Sequence, residues 1–299
     1  LRVLLESIGY KKIDSNTRVL IIGLGLIGGS YAKALTKKGY KVRAITLDSK
    51  DIEYAVGEGF LEDGTTVVSE EYLGWADLIV FSLYPHTFIE WLQKYGQLIK
   101  PGTLCTDVTG VKSCILDKAQ ALMPDGVEFI AAHPMAGRER SGVRHSDDSV
   151  FAGANYIVVP SDKNTPEAIE NCKHFGEELG FYHISVLNAE SHDRMIAFLS
   201  QLTHCIAVAL MCTNDTPGFE AYTGDSFRDL TRIAKINANM WSELFIRNKD
   251  YLLEEMDNFI EKFTDLRDML EREDRDGMCE MMRISTERRE KFDKPTVKE

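Results

Sequence analysis

The run Gly23-Leu24-Gly25-Leu26-Ile27-Gly28 spaces three glycines as G-x-G-x-x-G, directly after the apolar stretch Val19-Leu20-Ile21-Ile22 and before a helical pattern. In that setting the first glycine permits a tight turn, the second lets backbone approach a pyrophosphate, and the third lets the helix pack on the strand. The helix then begins with unpaired N–H groups and the positive end of its dipole facing the phosphates. Gly23, Gly25, Leu26, Ile27 and Gly28 are therefore the candidate contacts to a dinucleotide. Asp48 follows Gly28 at the offset of roughly 20 residues where an acidic side chain holds the ribose hydroxyls of NAD. If the second strand ends two residues earlier, Thr46 takes that place. A hydroxyl there, beside Arg43 or Lys50, tolerates a 2′-phosphate, so NAD is expected and NADP stays open. Asp48 also suits a plain helix N-cap.

These residues need a frame to hold them. The pattern predicts strands over 18–22, 40–47, 77–83, 103–106, 127–132, 155–159 and 181–186, alternating with helices over 31–38, 87–99, 112–123 and 165–179. Alternation of this kind implies a doubly wound, mostly parallel α/β sheet, whose ligands lie beyond the carboxyl ends of the strands. That rule selects Ser82 and Tyr84, then Asp107-Val-Thr-Gly-Val-Lys112, then His133-Pro-Met-Ala-Gly137. From about residue 187 strand signals stop, and helical periodicity covers 189–212, 226–247 and 250–292. The chain thus divides into a dinucleotide-binding domain, 1–187, and an all-helical domain, 188–299. A short amphipathic helix is expected ahead of residue 14. Asp193, Ala197, Ser200 and His204 recur at i, i+4, i+7 and i+11, so they share one helix face. A buried stripe of this kind is either satisfied internally or turned to a polar pocket. Arg228 and Arg232, one helical turn apart, suit bidentate carboxylate binding, and equally a solvated, ion-paired face.

Composition bounds the function. With 299 residues, 44% of them hydrophobic, the chain has material for two cored domains. No apolar run reaches the roughly 20 residues of a membrane span, and no basic-then-apolar leader opens the chain. The expectation is a cytoplasmic protein with no membrane partner. A balance of 47 acidic to 35 basic residues, net −12, repels nucleic acid and anionic lipid unless a local basic patch intervenes, and the sequence shows none. Six cysteines lie apart with no C-x-x-C pair, which suggests neither a metal site nor a disulfide framework.

The blocks Gly23-Leu-Gly-Leu-Ile-Gly-Gly-Ser30, Asp107-Val-Thr-Gly-Val-Lys112, His133-Pro-Met-Ala-Gly137, Glu139-Arg-Ser-Gly142, His192-Asp193, Ser200-Gln-Leu-Thr-His204 and Phe227-Arg-Asp-Leu-Thr-Arg-Ile-Ala234 run in order from about residue 18 to 263. In these the chain resembles the prephenate/arogenate dehydrogenase family of tyrosine biosynthesis. The resemblance implies a Rossmann-type sheet followed by an all-helical dimerisation domain, and an oxidative decarboxylation. Hydride leaves the hydroxyl-bearing ring carbon for a nicotinamide, carbon dioxide leaves the opposite carbon, and the ring becomes aromatic. By the same resemblance His133 is the catalytic histidine, accepting a hydrogen bond from the substrate hydroxyl, and Arg232 pairs with the ring carboxylate. His204 is a second substrate-site histidine, with Asp193 and Ser200 in support and Glu139 at the pocket rim. Trp241 reaches the far end of the substrate from a partner subunit.

Departures from the family pattern carry expectations of their own. Gly110 stands where a serine usually assists the histidine, and Thr109, one residue earlier, is the candidate catalytic substitute. Gln201 and Thr203 replace the usual His and Pro of S-H-L-P-H. Any tyrosine feedback is expected at the active site itself, since the chain shows no appended regulatory domain. The nearest rival is arogenate dehydrogenase. A β-hydroxyacid dehydrogenase would need a lysine on the first interdomain helix, and 189–212 contains none. A dinucleotide-binding paralogue without activity is the remaining rival. A homodimer through the helical domain is expected, because its helices are apolar on too many faces for the sheet domain to cover.

Overall fold

Val19, Leu20, Ile21 and Ile22 are covered on both sides, none more than 2% exposed, because a parallel strand flanked by crossover helices has no solvent face. They form β1 (Arg18–Ile22) in an eight-stranded sheet of a computed structural model that describes residues 12–138 and 140–293. The expected lead-in helix, up to residue 11, and Glu139 lie outside the described residues. In chain order β1 is followed by α1 (Leu26–Lys37), β2 (Lys41–Ile45), α2 (Ser49–Gly57), β3 (Asp63–Thr65), α3 (Glu70–Trp75), β4 (Leu78–Phe81) and α4 (Pro85–Tyr95). Then come β5 (Leu104–Asp107), α5 (Leu116–Leu122), β6 (Glu128–Pro134), β7 (Asn155–Val159), α6 (Pro166–Glu178) and β8 (His183–Val186).

The strands lie in the order β3-β2-β1-β4-β5-β6-β7-β8. All pairings are parallel except β6 with β7, where His133 faces Ile157. This is the doubly wound, mostly parallel sheet that the alternating pattern predicts. Side chains alternate between its faces. Val19 and Ile21 pack with Tyr31 and Leu35 of α1 and Phe175 of α6, while Leu20 and Ile22 pack with Leu73, Phe88 and Leu92 on the other face. The strand order reverses between β1 and β4, which creates the crevice where such sheets take ligands.

The stretch after β8 is one rod, Ala189–Thr213, built from α7 (Ala189–Ile196), a π-helical segment (Ala197–Leu202) and α8 (Thr203–Thr213). By length and composition alone, with a mean hydropathy of 1.9 over its most apolar 18 residues, this helix is long enough and apolar enough to cross a membrane. That corrects the expectation that no stretch reaches such a length. A core or interface helix passes the same test, and His192, Asp193 and Gln201 are buried along it in protein hydrogen bonds.

Three local boundaries differ from the sequence reading. β2 ends at Ile45, two residues sooner than predicted, because Leu47, at 96% exposure, points into water rather than into the sheet. α5 begins at Leu116, and the four residues before it form a turn that buries Lys112 completely. The expected helix over 226–247 is broken into α9 (Asp225–Thr231), a 3₁₀ turn (Arg232–Ala234) and α10 (Ala238–Arg247), with Asn237 capping the last by accepting from Met240 N. By internal packing the chain forms two units, residues 1–249 and 250–299. Among its described residues the second carries α11 (Lys249–Glu271), which begins at the last residue of the first unit, and α12 (Arg275–Glu290). Glu273, at φ 55°, interrupts what the sequence suggests is one helix.

Candidate active site

Each glycine of the loop after β1 has a different physical reason to be glycine. Gly23 sits at φ +94°, and a Cβ there would lie 2.4 Å from the Ser82 carbonyl oxygen. A Cβ on Gly28 would lie 2.2 Å from the Gly23 oxygen, so the helix could not approach the turn. A Cβ on Gly25 would meet nothing within 4 Å, which leaves the space above it open for a pyrophosphate. Leu26 and Ile27 lie in the first turn of α1, whose amides have no carbonyl partner within the helix. These features fit a bound dinucleotide. Ser82 closes the crevice floor, its amide donating to the Ile22 carbonyl. Tyr84 precedes α4, and its hydroxyl accepts from Asn237 Nδ2 at 3.2 Å. Asp48 is the N-cap of α2, accepting from Lys50 N at 2.9 Å. Thr46 instead lies against the glycine turn, its hydroxyl accepting from Leu24 N at 3.4 Å.

At the tip of β6, His133 is joined to two further residues in a line. Its Nδ1 lies 2.9 Å from His192 Nε2, and His192 Nδ1 lies 2.7 Å from Asp193 Oδ1. The loop after β5 anchors that line, with the backbone N–H groups of Lys112 and Ser113 donating to the two Asp193 oxygens at 2.9 and 2.8 Å. Asn248 Nδ2 holds the Asp193 carbonyl and the Gln201 side chain, and Gln201 donates in turn to the Leu244 carbonyl. Gln201 is therefore a buried strut between α7–α8 and α10. Beneath the loop, Lys112 Nζ donates to Asp107 Oδ2 at 2.7 Å, to the Ala132 carbonyl at 2.6 Å and to Thr109 Oγ1 at 3.1 Å, with neither charged side chain exposed.

Burial, then the neighbouring His192 and Lys112, holds the His133 imidazole well below its usual value of 6.5. Burial likewise lowers His192, against an opposing pull from Asp193. For Asp193 burial works upward, but hydrogen bonds from His192 and Ser113 outweigh it and keep the carboxylate low. The site therefore presents a neutral imidazole at neutral pH.

Some expected assignments need correction. Asp107 is fully buried, and its oxygens accept from Ala132 N, Thr109 N, Thr109 Oγ1 and Lys112 Nζ, so it serves the loop and not a cofactor. The Thr109 hydroxyl points to Asp107 and the Val111 carbonyl and is not directed at His133, so it does not stand in for the missing serine. Asp193, 1% exposed with both oxygens occupied, supports His192 and does not face a substrate. The four-residue stripe on this helix does not survive, because the π-helical turn inserts extra residues and rotates the rest of the rod relative to α7. Ser200 and His204 consequently belong to a second cluster. His204 Nδ1 donates to the Ser200 carbonyl at 2.8 Å and its ring stacks on Trp241 at 3.7 Å. Trp241 thus meets His204 within one chain. One helical turn along α10, Leu244 packs over Gly110.

Arg232 lines a third region, a cavity of about 770 Å³ whose walls include Lys33, Lys37, Arg138, Arg140, Arg144 and Lys235, with Asp147 and Asp148 the acidic residues among the described lining. This is a basic patch that overall composition conceals. Arg232 lines this cavity and His133 does not. The loop leaving β6 connects them, since it carries His133 at its root and Arg138 and Arg140 at the cavity wall.

Residues 31–184 match a family model described as the prephenate dehydrogenase nucleotide-binding domain, and residues 188–284 one described as the prephenate dehydrogenase dimerization domain. Prephenate dehydrogenase of Bacillus subtilis is 29% identical over 91% of this chain and 75% of its own length. That of Lactococcus lactis is 30% identical over 81% of this chain and 68% of its own length. The crystal structure of prephenate dehydrogenase from Aquifex aeolicus, in complex with hydroxyphenyl propionate and NAD+, superposes with a TM-score of 0.85 at 28% identity, covering 95% of this chain and all of that one. A glycine loop shaped for a dinucleotide, a neutral histidine at a strand tip and matches over both halves of the chain agree, and the chain belongs to the prephenate dehydrogenase family.

Proposed function

We propose that this protein oxidatively decarboxylates prephenate to 4-hydroxyphenylpyruvate with NAD as the oxidant. NAD, when bound at the glycine turn over 23–28, supplies a nicotinamide that accepts the hydride. The observation that carries the reading is His133, held neutral at the tip of β6 with its Nε2 edge toward Gly110. His133 Nε2 takes the proton of the ring hydroxyl as the C–H bond on the same carbon gives up its electron pair. The carboxylate on the opposite carbon departs as carbon dioxide, its bonding electrons complete the aromatic ring, and the proton returns to the phenolic oxygen. Arg232 holds the ring carboxylate, and the cations around it surround a dianion in a protein that is acidic overall. His204 and Trp241 border the substrate, and Glu139 is assigned to the pocket rim on family likeness.

Residues 1–187 act as the nucleotide domain and 188–299 as the helical one, a division that falls between the two family models. The enzyme is a homodimer. The second model is described as a dimerization domain, and in the first packed unit Phe198, Leu199, Phe227 and Leu230 are all more than 40% exposed. It works in the cytoplasm, where six free thiols are at home.

The test is to mix the purified protein with prephenate or arogenate, each with NAD or NADP, and follow reduced nicotinamide. Reduction with prephenate and NAD is expected. Reduction with arogenate alone would make it an arogenate dehydrogenase, and none with either substrate would overturn the reading. The NADP arm decides between Asp48 and Thr46 as the ribose contact. Arg232→Ala is expected to raise KM by roughly 10- to 150-fold with a much smaller change in kcat, the loss of about 1.5–3 kcal/mol for hydrogen bonds to a charged group. Steady-state kinetics on prephenate check it. A Cβ on Gly110 would sit 3.9 Å from His133 Nε2 and 3.5 Å from Leu244, ordinary contact distances. Gly110→Ser is therefore expected to fold normally and to quicken turnover by up to roughly five-fold, about 1 kcal/mol for one hydrogen bond. A slower enzyme would mean that the new hydroxyl competes with substrate for the imidazole.

A further inference from the structure

A neutral imidazole has one N–H and one bare nitrogen, and only the bare nitrogen can take a proton. For a base at the position of His133, the bare atom has to be Nε2, the one facing Gly110. An unconstrained imidazole carries its proton on Nε2 more often than on Nδ1, so something must reverse that preference. The line from His133 to Asp193 contains what is needed. Asp193 is ionised, and a carboxylate only accepts, so His192 Nδ1 at 2.7 Å must be the donor. A neutral His192 then has a bare Nε2, which accepts from His133 Nδ1 at 2.9 Å. With its proton fixed on Nδ1, His133 is left with a bare Nε2.

We propose that His192 is a positioning residue for the reaction: anchored by Asp193, it fixes the tautomer and ring orientation of His133 so that Nε2 is the proton acceptor. This rests on the reading of His133 as the base. In this role His192 touches neither substrate nor cofactor. It is fully buried, and its ring meets that of His133 edge-on at 5.1 Å between centroids. The anchor is stiff, because Asp193 is gripped by the backbone amides of Lys112 and Ser113 and its carbonyl by Asn248. The charged groups around the pair are Lys112 and Asp107 beneath and Asp193 behind. When His133 carries the substrate proton, its Nδ1–H still points along a line that ends on a carboxylate, which stabilises the cation at the moment it forms. The proton then returns to the product oxygen from the same Nε2.

The experiment has a part that needs no variant of His192. In protein labelled with ¹⁵N-histidine, with the His133 signals assigned by their absence from His133→Asn, the chemical shifts should show Nδ1 protonated and Nε2 bare at neutral pH. A protonated Nε2 would overturn the inference. In His192→Leu, which removes the acceptor, the tautomer should revert and kcat should fall at least about tenfold, since a wrong tautomer in a comparable relay costs up to about 10⁴, while KM stays within about threefold. His192→Gln, whose amide oxygen can accept from Nδ1, should recover most of that loss. Equal losses in the two variants, or unchanged kcat in His192→Leu, would overturn the inference. If His133→Asn itself keeps its turnover, the reading of His133 as base has failed. If His133→Asn is dead while His192→Leu is as fast as the parent, only the positioning role has failed.

Discussion

His133→Asn is expected to lower kcat by about 10² to 10⁴, the range for a lost general base, with KM for prephenate changed by only a few fold. Asparagine keeps a donor and an acceptor on a side chain of similar reach, so binding and folding should survive while proton acceptance does not. The pH dependence sharpens the test. In the parent enzyme the base must be neutral, and burial with the nearby His192 and Lys112 holds it below 6.5. The acid limb of kcat/KM should therefore lie below pH 6.5, with activity level above it and falling as pH drops through the folded-state value. In His133→Asn that limb should disappear from whatever activity is left. Folding stability has the same sign. A histidine whose folded value is depressed contributes in full above its unfolded value and loses that contribution as pH falls from 6.5 toward the folded value. Stopped assays of nicotinamide reduction across the acid range, run beside thermal melts in the same buffers, separate the two effects.

The residues that the sequence makes legible are those whose reasons are local. Gly23, Gly25 and Gly28 each answer to a constraint within a few residues or to the facing strand, so spacing alone exposes them. His133 and Ser82 are singled out because a doubly wound sheet presents the carboxyl ends of its strands to ligands, and alternating elements already imply that sheet. What stays hidden is nonlocal. His192 is visible in sequence only as half of a His-Asp pair, because its role depends on the tip of β6 lying 2.9 Å away across 59 positions of chain. The stripe through Asp193 and His204 assumes an unbroken helical period, and no residue type announces the π-helical turn at Ala197–Leu202. The basic cavity draws its cations from α1, the loop after β6 and the 3₁₀ turn at Arg232, so a sum over an acidic chain dilutes them. The choice between Asp48 and Thr46 turns on where β2 stops, and strand ends are the least certain feature of any periodic pattern.

Lys112→Met is expected to destabilise the protein by about 3–5 kcal/mol, the cost of stranding one partner of a buried ion pair. For the packed unit of residues 1–249 that corresponds to a fall in melting temperature of roughly 6–20 °C. Methionine fills similar volume, so the loss would come from Asp107, left charged with hydrogen bonds but no counterion. Adding Asp107→Asn should return part of the loss at neutral pH, because the amide removes the uncompensated charge while its oxygen still accepts from Ala132 N. If the single variant melts like the parent, or the double variant melts lower than the single, the ion pair is not what holds this loop. The same substitution removes one of the cations that keep His133 low, so in whatever fraction folds, the acid limb of kcat/KM should move upward. A pair that only braced the loop would cost stability and leave that limb where it was, and the position of the limb therefore tells whether Lys112 also sets the charge of the base above it.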